Sequence, residues 1–399
     1  MAPIRKLSTQ RLVALTAGLA AAIATGGAIA IAATGGGAEP PPKRLDAAVH
    51  DALSAPRVAG ITARIRFTNH LIDSAGVQGA SPILSGATGR LWASGDGRVR
   101  LELQSGDGGG GDAQALVDGR RLSVYEPASN TVYRATLPRP RAERRHRAGR
   151  EAPAIGEIDR ALARIATRVN LSGAEPGNVA GKPSYSVKVT PKDHGGLVGG
   201  ARLAWDAAKG IPLRASVYAA GRTDPVVELE ATDISYGRVA ASAFSFVPPR
   251  GAKVVDLTQR AQRASAGAGK PKKTRPVTGV GAVSRTVGFR VAAPGRLAGR
   301  ARARVRSIGS GDGAAALVTY GSGLGGVAVI ESAAKSGHAK GAPRKEGQLS
   351  LPKVAINGAR GQELRTALGT VIRFERDGVS YVVLGSVSPA AAEVAARGL

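Results

Sequence analysis

The chain has no cysteine and one methionine, and its 399 residues include only five phenylalanines, seven tyrosines and two tryptophans. Without cysteine there are no disulfides, no thiolate metal sites and no lipobox-type lipid anchor. With so few aromatics, any core must be packed mainly by Val, Leu, Ile and Ala. Acidic residues are also scarce, 29 against 56 lysines and arginines, giving a formal net charge of +27 and a pI near 11.2. A field that positive favours anionic partners such as phospholipid headgroups, wall polyanions or acidic proteins.

Reactive constellations are missing as well. The five histidines, His50, His70, His146, His194 and His338, show no metal-ligand spacing. No G-x-S-x-G occurs, which removes the nucleophile-elbow hydrolases. Gly177 to Pro183 is one residue short of a P-loop and has proline where Ser or Thr would bind magnesium, so it reads as a turn before a strand at 184–189. Gly321, Gly323 and Gly326 match G-x-G-x-x-G, but the apolar 327–330 that follows is a strand and not the helix a pyrophosphate needs. That segment reads as a glycine-rich hairpin. Asp107 to Asp112 lacks the alternating carboxylates of a calcium loop. The chain is expected to be no enzyme and to carry no cofactor and no metal.

At the N-terminus, Arg5, Lys6 and Arg11 precede a 22-residue apolar run, 12–33, followed by a Pro-rich linker at 34–43. A basic start, an apolar middle and small residues at the exit make an export signal. Ala28-Ile29-Ala30 and Ala30-Ile31-Ala32 offer cleavage sites, while the run is also long enough to stay as an anchor. Either way the remainder is expected outside the cytoplasm, secreted or anchored to the membrane.

Beyond the linker, Leu45, Ala48, Val49, Ala52 and Leu53 place one apolar face on a short helix. Period-2 alternation then dominates, at 61–67 (Ile61, Ala63, Ile65, Phe67) and at 99–103 (Val99, Leu101, Leu103). Asp118-Gly119 signals a hairpin between 115–117 and 122–124, and a further strand is predicted at 131–137. A second amphipathic helix is predicted over 155–169, with Ile155, Ile158, Leu162, Ile165, Ala166 and Val169 on its apolar face. From 202 to 256, alternating runs through Leu203 and Trp205, 213–217 and 227–231 are separated by a turn at 206–210. They close on Ala243-Phe244-Ser245-Phe246 and Pro248-Pro249.

Three of these stretches carry a resemblance. The strand 97–101, the Val117-Asp118-Gly119…Tyr125-x-Pro127 hairpin and the block 202–256, with its Trp-Asp turn, GIPLR and F-x-F-x-PP-x-GA-x-VVD ending, stand in an order similar to the LolA-like superfamily. The resemblance spans roughly 45–256 and implies an α+β fold, a curved, incompletely closed antiparallel half-barrel with helices over its mouth. It also implies an apolar cavity that binds lipid or an acylated protein, with Ile65, Phe67, Leu101, Ile158, Leu162, Ile165 and Trp205 as its wall. Ordinary core packing is the competing reading for each of these seven.

Residues 257–283 are rich in Lys, Arg, Gly and Pro and read as a flexible basic linker. A small C-terminal α+β domain is expected at 284–399, with strands at 315–320, 326–331, 370–375 and 379–384 and a last helix opened by Ser388 and Pro389. The closing VSYVVLGSVSPAAAEVAARGL resembles the end of the MucB/RseB family's small domain. That likeness implies a membrane-bound regulatory partner, such as an anti-sigma factor, as an alternative to a lipid carrier or sensor.

Arginines crowd the loop 138–153, including Arg141, Arg144 and Arg145, while Arg300, Arg302, Arg304 and Arg306 alternate with small residues so that a regular strand shows four guanidiniums on one face. These read either as solvated surface or as contacts with an anionic membrane or acidic partner. Nucleic acid is not expected as a partner, given the export signal and the lack of a helix-turn-helix or aromatic-interleaved basic pattern.

Overall fold

The computed structural model describes residues 39–72, 86–105, 112–137, 153–193, 195–258, 277–309, 311–334 and 351–399. The apolar run 12–33, the arginine-rich loop with Arg141, Arg144 and Arg145, and most of the basic linker lie outside the described residues. The fold is α+β.

A helix α1 (Leu45–Ser54) leads into the first sheet. Its first half is β1 (Gly60–Asn69), β2 (Ala87–Ser94), β3 (Val99–Ser105), β4 (Ala113–Asp118), β5 (Arg121–Glu126) and β6 (Thr131–Thr136). Helix α2 (Ile155–Ala166) and short strand β7 (Val169–Leu171) follow. The second half is β8 (Glu175–Val179), β9 (Lys182–Pro191), β10 (Val198–Asp206), β11 (Pro212–Ala219), β12 (Pro225–Tyr236) and β13 (Lys253–Asp256). The strand order is β13-β6-β5-β4-β3-β2-β1-β12-β11-β10-β9-β7, with β8 on β9. All pairs are antiparallel except β13 on β6, and the path does not close between β7 and β13.

Register separates the two faces of this sheet. One face carries the apolar row Ala63, Leu91, Leu101, Ala115, Val124 and Tyr133, paired strand to strand. A further row, four residues along β1, runs Phe67, Leu229, Ala215, Leu203 and Val187. The other face is polar, where Ser216 Oγ donates to Glu228 at 2.6 Å and Arg214 Nε donates to Glu230 at 3.1 Å. This in-out alternation is what an antiparallel sheet with one wet face requires.

The second sheet is built from β14 (Arg296–Leu297), β15 (Arg300–Ile308), β16 (Ala315–Tyr320), β17 (Val327–Ala333), β18 (Lys353–Ile356), β19 (Ala359–Thr366), β20 (Gly369–Arg376) and β21 (Val379–Gly385). Its order is β14-β15-β16-β17-β21-β20-β19-β18. Helices α3 (Val280–Val287) and α4 (Pro389–Arg397) pack on one face, where Val283, Ala392, Ala395 and Ala396 join Val318, Val329, Ile372 and Val383 in a buried cluster. Phe374 and Tyr381 stack there at 4.9 Å between centroids. The Ser388 hydroxyl caps α4 by accepting the Ala391 N–H, and Pro389 takes the first turn, as the sequence predicts.

Several details differ from the sequence expectation. Helix α2 ends at Ala166 because Val169–Leu171 pairs with β9 as a strand. Within the 177–183 segment Gly177 belongs to β8 and the predicted turn is confined to Ala180-Gly181, where both residues have positive φ (54° and 72°). This is the two-residue connection whose twist matches that of the strands. The closing Ala243–Phe246 segment leaves a 3₁₀ turn (Ala241–Phe244), with Phe244 buried beneath the Arg98 guanidinium and Arg100 donating to the carbonyls of Ala243 and Ser245. Helix α3 begins at Val280, four residues before the expected start of the small domain.

Candidate functional site

The Trp205-Asp206 turn positions the site. Asp206 Oδ1 accepts the N–H groups of Ala208 and Lys209, both at 2.8 Å, and Oδ2 accepts the Tyr236 hydroxyl at 2.6 Å. Burial first, and then the Asp206 carboxylate, push the Tyr236 phenol far above its ordinary pKa, so it stays a donor. The turn must contain Gly210. It has φ +64°, and a Cβ there would stand 2.2 Å from the Ala52 carbonyl oxygen of α1.

Helix α1 is thereby seated on the apolar face. Ala48, with Leu45, Val49 and Ala52 around it, packs on Tyr185, Val187 and Trp205. Tyr185 and Trp205 are paired across β9 and β10, with ring centroids 6.3 Å apart. The Tyr185 hydroxyl donates to the Pro41 carbonyl at 2.6 Å, which fixes the chain entering the helix. Trp205 is 5% exposed, yet its indole N–H has no hydrogen-bond partner among the described residues. Such a buried, unpaired donor carries a desolvation cost.

Helix α2 leans on α1, where His50 Nδ1 lies 3.0 Å from the Pro153 carbonyl at its entrance. Of its predicted apolar face, Ile158 is buried, Leu162 is half-buried and Ile165 is 51% exposed. Exposed large apolar side chains recur on the neighbouring elements: Leu53 at the end of α1, Ile155 at the start of α2 and Leu203 on β10. On the other side of α2, Glu157, Arg160, Ala163 and Arg164 line an open depression of about 630 Å³. This charged lining was not singled out from the sequence, although the i, i+3, i+7 spacing of Glu157, Arg160 and Arg164 shows it.

The seven predicted wall residues are therefore divided. Ile65, Phe67, Leu101 and Trp205 share one face of the sheet, but Ile65, Phe67 and Leu101 pack in a cluster formed by the sheet's own side chains, with Leu103, Val124 and Tyr133. Trp205 lies in the separate cluster under α1, and the α2 residues lie beside α1. The four arginines of β15 are divided too. A register shift between Arg302 and Arg304 pairs Arg302 with Tyr320 on the helix-covered face and Arg304 and Arg306 with Thr319 and Leu317 on the opposite face. Arg300 turns in to donate to Gly325 O at 2.6 Å and Ala298 O at 3.0 Å, and Arg302 donates to Ala293 O.

No group of three or more metal-ligating side chains occurs among the described residues, and none of their helices is long and apolar enough to cross a membrane.

No family model matches the sequence, and the comparison with curated proteins finds no match. Solved structures similar to this chain include MucB in complex with MucA(peri), 15% identical, covering 89% of this chain and 96% of that one with a TM-score of 0.41. The Pseudomonas aeruginosa MucA/MucB complex is 16% identical over 88% and 95%, with a TM-score of 0.40. A LolA superfamily protein from Nitrosomonas europaea is 13% identical over 51% of this chain and 98% of its own, with a TM-score of 0.20.

Proposed function

We propose that this is a non-enzymatic protein of the extracytoplasmic face that holds an acyl chain of a lipid or acylated protein at the rim between α1, α2 and β10, as a carrier or sensor. The observation that carries the reading is the set of exposed apolar side chains Leu53, Ile155, Ile165 and Leu203 on those elements, between 40% and 51% exposed. An acyl chain laid over them contributes about 0.8 kcal/mol per methylene removed from water. On the other side of α2, Arg160 and Arg164 line the 630 Å³ depression and add two guanidiniums for an anionic surface. The export signal and the LolA-like pattern over 45–256 support the same reading.

The interior of the curved sheet is not the proposed site, since Ile65, Leu103 and Tyr133 fill it at 4–6% exposure. Native mass spectrometry and solvent extraction of residues 40–399 test the proposal. A stoichiometric co-purifying lipid, lost on Ile165→Asp with Leu203→Asn, is the expected result. Protein that is free of lipid and takes up no fluorescent fatty acid overturns it.

A further inference from the structure

The second sheet has a helix-covered face and a face on which no described helix packs. Both α3 and α4 belong to the buried cluster of the first face. On the second, direct strand pairing aligns Arg306, Leu317, Ile330, Val382 and Arg373 in one row across β15, β16, β17, β21 and β20. The neighbouring row sets Arg304, Thr319, Ala328, Leu384 and Val371 side by side in the same way. The apolar members of both rows are half-buried and contribute to no buried cluster. A sheet face with Leu, Ile and Val at its centre is the surface that a domain ordinarily covers with another layer.

Charge defines what that layer is. Arg304 and Arg306 are exposed at one end, while Lys353 and Arg360 on β18 and β19 are exposed at the other, paired through Gln362 and Ala355 into the same face. None of these four has an ion-pair partner among the described residues. Glu375, which pairs with Arg373 at 3.0 Å, is the one carboxylate these pairings bring to the face. From β15 to β18 is six strand spacings, roughly 29 Å at about 4.8 Å each. A helix of about 20 residues has that length. A second copy of the chain presents the same cations and is repelled. A flat bilayer meets the exposed arginines first and leaves the half-buried leucine and valine side chains between them uncovered.

We infer that the open face of the second sheet, centred on Leu317, Ile330 and Val382 and rimmed by Arg304, Arg306 and Lys353, docks an acidic amphipathic helix of a partner protein. The site is separate from the rim proposed for the acyl chain, so its test is independent of lipid. The full chain is panned against a phage-displayed library of 20-residue helical peptides, and the selected peptides are measured by fluorescence anisotropy.

The expected peptides carry apolar residues at i, i+3, i+4 and i+7 flanked by Asp and Glu. Their affinity falls at least tenfold with R304E/R306E, on exposed positions that leave the thermal transition unchanged, and also with V382K. A selection without acidic flanks overturns the inference, as does binding indifferent to R304E/R306E. Binding of the chain to phosphatidylglycerol vesicles through the same arginines, with no peptide selected, also overturns it and makes the face a membrane surface.

Discussion

The Glu331 carboxylate accepts the Ala292 backbone N–H at 2.8 Å through Oε2, while Oε1 is buried with no hydrogen-bond partner. Glu331 is fully buried on β17, paired with Tyr381 and Ala316. The Tyr320 hydroxyl is likewise buried and unpaired, and its phenol is pushed up to about 12 by burial and the nearby Glu331. The arginines on this side are directed elsewhere, Arg302 toward Ala293 O and Arg376 over the Tyr381 ring. Burial raises the Glu331 pKa from 4.5 to about 7, only partly opposed by the Ala292 hydrogen bond.

A pH dependence follows. The folded chain holds the Glu331 proton up to about pH 7, whereas the unfolded chain releases it near 4.5. Folding therefore binds a proton, and stability falls as pH rises through that window and is flat above it. The loss is on the order of 3 kcal/mol, at 1.36 kcal/mol per pKa unit. Glu331→Gln keeps the acceptor for Ala292 and adds a donor near Tyr320. Urea unfolding from pH 4.5 to 8 is expected to show a falling stability for the wild type, with this contribution absent in the variant. The variant is then the more stable protein at pH 8.

Trp205 separates packing from hydrogen bonding. Its ring fills the space under α1, but its N–H is unpaired. Trp205→Phe removes the unsatisfied donor and keeps most of the apolar contact, so its cost is expected to stay within about 1 kcal/mol. Trp205→Ala opens a cavity beside Tyr185 and Ala48 and is expected to cost about 3–5 kcal/mol. Equilibrium denaturation of the two variants checks the difference.

Much of this was legible in the sequence, and the parts that were not share a cause. The strands with clean alternation, such as Ile61 to Phe67 and Val99 to Leu103, form where they are expected, because period 2 and one buried face are local properties. The seating of α1 on Trp205 and the bulge between Arg302 and Arg304 depend on what pairs opposite them, which no spacing records. Two hairpins turn on Ala180-Gly181 and Ala298-Gly299, where alanine has positive φ. Alanine is no turn signal by composition, whereas Asp377-Gly378 is, and the latter turn was the one anticipated. Ile65, Phe67 and Leu101 pack among the sheet's own side chains, because an apolar residue at strand spacing is marked only as inward and not as lining a gap.

Gly210 links the turn to the helix that roofs the rim. A methyl group there meets the Ala52 carbonyl oxygen at 2.2 Å, and the φ of +64° adds strain for any L side chain. Neither can relax without moving backbone, because Asp206 pins the turn through Ala208, Lys209 and Tyr236. Gly210→Ala is expected to displace α1 and cost about 2 kcal/mol or more. Hydrogen exchange should then quicken across Leu45–Ser54 while the β19–β21 amides keep their protection. If acyl binding depends on the α1 rim, the same variant releases fatty acid faster. An unchanged exchange profile across α1 shows that its packing on Tyr185 and Trp205 and the Tyr185–Pro41 hydrogen bond hold the helix without the Gly210 turn.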